Sequence, residues 1–165
     1  MTYKEFIRDF VKRTKENYEK VKDGPYEVTQ LINSAIGLLI VPREYEKKNE
    51  SEKEDKKKNK KIQISDDFVD ESLLNKMISC VDDKYKNNLD LAELVRHLRN
   101  GIAHCRMDFE PGKTSLHEPD NHIGRVIIWD KRNKINFKID LPIDLLKEFF
   151  MGFSDGVIKY CENHK

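Results

Sequence analysis

Apolar residues three and four apart recur along most of this chain. That spacing dictates helices that each bury one stripe. Phe6, Ile7, Phe10, Val11, Tyr18 and Val21 predict a first helix over about residues 3–22, after a candidate cap at Thr2. Asp23-Gly24-Pro25 stops it and opens a second, whose stripe is Val28, Leu31, Ile32, Ala35, Leu38 and Leu39 and which Pro42 closes. Leu73, Leu74, Met77, Ile78, Val81 and Tyr85 predict a third helix from about Asp67 to Asn87. A fourth begins near Asp90 and runs through His104. Pro142 opens a last one bearing Leu145, Leu146, Phe149, Phe150, Phe153, Val157, Ile158 and Tyr160, with Gly152 and Gly156 inside the pattern.

Between the fourth and last helices the period changes. Glu110 to Gly124 carries Pro111, Gly112, Pro119, Asp120 and Asn121, which is loop chemistry. In Arg125–Asp130 and Lys134–Ile139 the pattern is that of strands, with Ile135, Phe137 and Ile139 alternating with polar residues. Lys131-Arg132-Asn133 supplies the turn, so a β-hairpin is expected over 125–139. The fold class is mostly α, a four- to five-helix bundle with a small appended β-hairpin. At 165 residues the chain is read as a single domain, 1–165.

One segment cannot join the core. Glu44 to Lys61 is nearly all Glu, Asp and Lys and has no aliphatic side chain. It is expected to be a solvated, mobile excursion between helices. Lys56-Lys57-Lys58 within it would attract RNA only weakly, because acids interleave. Thirty-one basic residues against thirty acidic ones leave a net charge of +1, which argues against coating nucleic acid by charge alone. The longest apolar run, Ala35 to Val41, is far short of the about 20 residues a membrane helix needs. No apolar signal region follows Met1, so the expected setting is cytoplasmic, with no membrane contact. Cys80, Cys105 and Cys161 are widely separated, with no CxxC pair, and are expected to be reduced, mostly buried thiols.

The stretch with chemistry is Leu91 to Arg106. On a helical wheel Leu91, Leu94, Val95, Leu98, Ile102 and Cys105 make one buried stripe, and Glu93, Arg96, His97, Arg99, Asn100, Ala103 and His104 occupy the polar remainder. Arg99 and His104 lie about 7.5 Å apart along the axis, a gap an arginine side chain spans. Gly101 lets another backbone or a ligand come close. A guanidinium suits phosphate oxygens, and an imidazole exchanges protons near neutral pH. Together they meet the minimum for RNA phosphodiester cleavage without metal: a base for the ribose 2′-hydroxyl and a cation for the developing charge. One histidine does not readily serve as base and acid in one step, and a two-fold dimer would supply both. Arg96 and Arg106 are the candidate substrate-binding cations beside them. A metal site is not expected, since His97 and His104 are seven apart and paired helix ligands sit four apart. His117, His122 and His164 are expected to be incidental.

Arg99-Asn100-Gly101-Ile102-Ala103-His104 resembles the motif of the HEPN superfamily: an Arg, a polar residue and, a few positions on, a His near the end of a bundle helix. Phe6 to Val11, Pro25 to Ser34 and Leu98 to Cys105 together resemble a small bacterial branch of it carried on plasmids and other mobile elements. The resemblance implies a dimeric helical bundle acting as a metal-independent endoribonuclease, without cofactor, in toxin–antitoxin, phage-defence or other conflict systems. It implies phosphate binding by Arg99, proton transfer by His104 and an orienting role for Asn100. The implied partners are RNA, a second copy, and an antitoxin or nucleotidyltransferase. The alternative is a HEPN module that binds nucleotide, RNA or a partner without cleaving. The hairpin is an addition to the plain bundle and has no role in this reading.

Overall fold

The computed structural model describes residues 3–24, 26–43, 64–111 and 123–163. The charged run Glu44–Lys61 lies outside them, as do His117, His122 and His164. The described chain is mostly α: α1 (Tyr3–Val21), α2 (Glu27–Ala35), α3 (Glu71–Ser79), α4 (Leu91–Ala103) and α5 (Ile143–Asn163). Between α4 and α5 lie three antiparallel strands, β1 (Met107–Pro111), β2 (Ile123–Lys131) and β3 (Ile135–Pro142), in the order β1-β2-β3. No helix among the described residues is long and apolar enough to cross a membrane.

The first stripe is narrower than its apolar residues suggest. Ile7, Val11 and Tyr18 are buried, whereas Phe6, Phe10 and Val21 are exposed. Spacings of four and seven keep the buried three in line along α1, which lies against α5. Lys147 of α5 pairs with Glu27 of α2 at 2.6 Å and sits 5.9 Å from the centre of the Tyr18 ring. In α2, Val28, Leu31 and Ala35 face inward. The helix then widens into one π turn, Ile36–Ile40, which buries Gly37, Leu38 and Leu39 and leaves Ile36 exposed. Such a turn accommodates one residue more than an α-helix would.

The third predicted helix is broken. It resolves into a 3₁₀ turn at Asp66–Phe68, then α3, then a second 3₁₀ turn at Asp83–Tyr85. The cause is aspartate capping and strand pairing. The Asp70 carboxylate accepts from Ser72 N at 2.8 Å and starts α3 afresh. Beyond α3 the backbone pairs with β3: Asp82 N donates to Lys138 O at 2.9 Å, and Asp140 N to Cys80 O at 3.1 Å. Periodicity carried the expectation through Val81, which instead bridges to Ile139.

The expected hairpin is β2–β3, longer at both ends, with Arg132 to Lys134 in the turn. A third strand, β1, occupies part of the expected loop and pairs Met107 with Ile128 through Pro111 with Ile123. Val126, Ile128, Phe137, Ile139 and Leu141 turn one face of the sheet into the core, and α4 packs on β2. In α5, Leu146, Phe149, Phe150, Phe153, Val157 and Cys161 are buried. Each fully buried aliphatic or aromatic side chain there contributes about 1.5–3 kcal/mol. Gly156 fits because a Cβ in its place would lie 2.2 Å from the Phe68 carbonyl oxygen.

Candidate active site

Asp90 begins the motif helix by accepting from Glu93 N at 2.8 Å, and α4 then buries Leu91, Leu94, Val95, Leu98 and Ile102. Its end is a Schellman turn. Cys105 N donates to Ile102 O at 3.0 Å and Arg106 N to Gly101 O at 2.8 Å, with Cys105 at φ 52°. The chain passes straight from this turn into β1, and Trp129 N donates to Arg106 O at 3.2 Å. The left-handed backbone at Cys105 takes its side chain off the buried stripe, so this thiol is exposed rather than buried. Cys80 is half-buried and Cys161 buried.

Gly101 brings β2 against the helix. A Cβ there would lie 2.4 Å from Ile128 Cγ2 and 3.0 Å from Trp129 O. The close approach is made by the strand, and it carries Asp130 onto the motif. Asp130 is only 2% exposed. Its Oδ2 accepts from His97 Nδ1 and from Asn100 Nδ2, each at 3.0 Å. Its Oδ1 accepts from Lys131 N at 2.8 Å and from Arg106 Nη1 at 3.2 Å. Burial alone would raise this carboxyl, but the bonds from Asn100, His97 and Lys131 N outweigh it and hold the group below its ordinary range.

His97 is buried here, contrary to its predicted place on the solvated face beside His104. Its ring stacks on Phe137 with centroids 4.4 Å apart. Arg96 Nη2 lies 2.9 Å from His97 Nε2, and a guanidinium only donates, so Nε2 accepts and the ring proton sits on Nδ1, facing Asp130. The imidazole is therefore neutral. Burial pushes its pKa down and outweighs the Asp130 hydrogen bond that would raise it.

The predicted residues fall into two groups. Asn100 and Arg106 converge on Asp130, and Arg96 reaches it at 3.8 Å. Arg96 also grips Glu93, with Nη2 2.6 Å from Oε2, and holds that carboxyl below its ordinary range. Arg106 further donates to Lys131 O at 2.9 Å. Arg99 joins through its neighbour: Nη1 donates to Asn100 Oδ1 at 2.8 Å. His104 stands apart as the exposed C-cap of α4, and among the described residues no hydrogen bond or ion pair reaches its ring. The arrangement holds the Arg99 guanidinium against Asn100 and leaves the His104 imidazole exposed at the helix end.

Sequence reasoning missed Asp130 and the burial of His97. A signal for the first existed: Asp130 continues the inward phase of Val126 and Ile128, where a carboxylate needs partners. No match among curated proteins or solved structures was found. The family model HEPN pEK499 p136 matches residues 1–164, sheet included, and the chain belongs to this HEPN family.

Proposed function

We propose that the protein is a metal-independent endoribonuclease of HEPN type, cleaving RNA by attack of the ribose 2′-hydroxyl at a site shared by two copies. Its expected setting is a toxin–antitoxin or phage-defence system, with an antitoxin or nucleotidyltransferase as protein partner. The observation that carries this reading is the Arg99 Nη1 to Asn100 Oδ1 contact of 2.8 Å on the last turn of a helix capped by exposed His104. Arg99 binds the scissile phosphate and stabilises the charge that grows on it. His104 removes the 2′-hydroxyl proton, and the second copy's histidine protonates the leaving 5′-oxygen. Arg96 and Arg106 flank this site as substrate-binding cations.

A second reading, a HEPN module that binds nucleotide, RNA or a partner without cleaving, draws on the internal pairing of Arg96 with Glu93 and of Arg106 with Asp130. That pairing diverts two nearby cations from phosphate. The purified protein separates the two readings. Wild type should cleave single-stranded RNA in EDTA, and His104→Ala should lower the rate about 100-fold or more. Equal rates for the two proteins refute the nuclease reading, and loss of cleavage in EDTA refutes its metal independence.

A further inference from the structure

We infer that Asp130, contributed by the sheet rather than by the bundle, is a positioning residue that sets the Arg99 guanidinium through the Asn100 amide. This inference deepens the proposed RNA site and rests on Arg99 meeting phosphate there. An ionised carboxylate only accepts hydrogen bonds, so Asp130 Oδ2 admits Asn100 Nδ2 and not Oδ1. The amide therefore has one orientation, and its Oδ1 is presented to Arg99 Nη1 at 2.8 Å. A flipped amide would set its N–H₂ against the guanidinium, donor to donor, and its Oδ1 against the Asp130 carboxylate, acceptor to acceptor. The carboxylate itself is held on all sides. It is buried, and its two oxygens take four donors, from His97, Asn100, Lys131 N and Arg106.

The same carboxylate also receives Arg106 directly, so one group on β2 meets Arg106 and, through Asn100, Arg99. The close approach that Gly101 permits puts that group within reach of the helix. A bundle without the sheet would leave the Asn100 amide to water, with both of its orientations open to Arg99. The sheet thus has a task at the site, exerted through Asn100.

The test is a double-mutant cycle on full-length protein, with affinity for single-stranded RNA measured in the His104→Ala background so that no substrate is consumed. Asp130→Asn, Asn100→Ala and the pair are compared, with the melting temperature of each recorded. Asp130→Asn should weaken RNA binding about tenfold. In the Asn100→Ala background the same change should have several-fold less effect, because the amide that transmits it is gone. A purely structural role would lower affinity equally in both backgrounds and follow the melting temperature, and that result overturns the inference. Should Asp130→Asn not fold, Asn100→Asp replaces it. It keeps the acceptor for Arg99 but loses the donor to Asp130, and should bind RNA as poorly as Asn100→Ala; wild-type affinity overturns the inference. The two hypotheses fail separately. A wild type that cleaves no faster than His104→Ala removes the nuclease, while absent coupling removes the positioning role. No RNA binding by any of the proteins overturns both.

Discussion

Substituting Gly101 by Ala tests the contact that joins helix to sheet. The new methyl would sit 2.4 Å from Ile128 Cγ2 and 3.0 Å from Trp129 O. The first atom belongs to a buried β-branched side chain and the second to strand backbone, so neither yields easily. Inserting a methyl into such packing is destabilising by about 1–3 kcal/mol. Against this, replacing a helical Gly by Ala returns about 0.5–1 kcal/mol of backbone entropy and solvation. Because both neighbours resist, the methyl's cost lies in the upper half of its range, and the balance is a loss of about 1–2 kcal/mol. For a domain of this size each kcal/mol lowers the melting temperature by about 2–4 °C, so scanning calorimetry should show a fall of about 2–8 °C. Gly152→Ala is the control. Its Cβ would meet only Leu73 Cδ2, at 3.2 Å, the far end of a flexible side chain, and the entropy gain should leave stability near wild type. Moving α4 away from β2 also lengthens the 3.0 Å Asn100–Asp130 bond, so RNA cleavage by Gly101→Ala should fall below that of Gly152→Ala. A Gly101→Ala protein that melts at or above the wild-type temperature refutes the close-approach argument.

Two further outcomes follow from the same region. The folded pKa of His97 lies below its unfolded value of about 6.5, because burial favours the neutral ring. Above that value neither state binds the proton; as pH falls through it the unfolded chain is protonated first, so stability is lost on acidification until the folded pKa is passed. Melting temperatures between about pH 7.5 and 5.5 should therefore fall less steeply in His97→Asn than in wild type, and parallel slopes would contradict the neutral assignment. Cys105 occupies the left-handed position of the Schellman turn at φ 52°, where a Cβ is a penalty. Cys105→Gly should stabilise the fold by about 0.5–1 kcal/mol and Cys105→Val should destabilise it, measured by denaturant titration; the opposite order would refute the strain.

How much could be read beforehand depended on whether a signal was local. The start of α4 was legible because an Asp cap stands next to an apolar stripe, and both act within one turn. The Arg99, Asn100 and His104 trio was legible as a motif, since its residues are neighbours in the chain. His97 was not. It lies at the edge of the stripe, and what buries it is Phe137, from a strand far along the chain. Val81 misled for the same reason. Its apolar spacing continues α3, but its backbone is claimed by β3. β1 escaped notice because five residues ending in proline carry little alternation, and only pairing with β2 makes them a strand. Asp130 shows the general limit: a charged residue at an inward strand position announces that it has partners but does not name them.

The way α4 ends has a consequence for motion. Helix termini ordinarily open first, and a residue placed there samples many positions. Here the amides of Cys105 and Arg106 are held by Ile102 and Gly101, and the Arg106 carbonyl receives Trp129 N from the neighbouring ladder. The last turn is thereby spliced to the sheet, and its amides should exchange with deuterium on the slow timescale of strand β2 rather than that of a fraying end. His104, though exposed, is thus carried on a turn whose following residues are hydrogen-bonded to both the helix and the sheet.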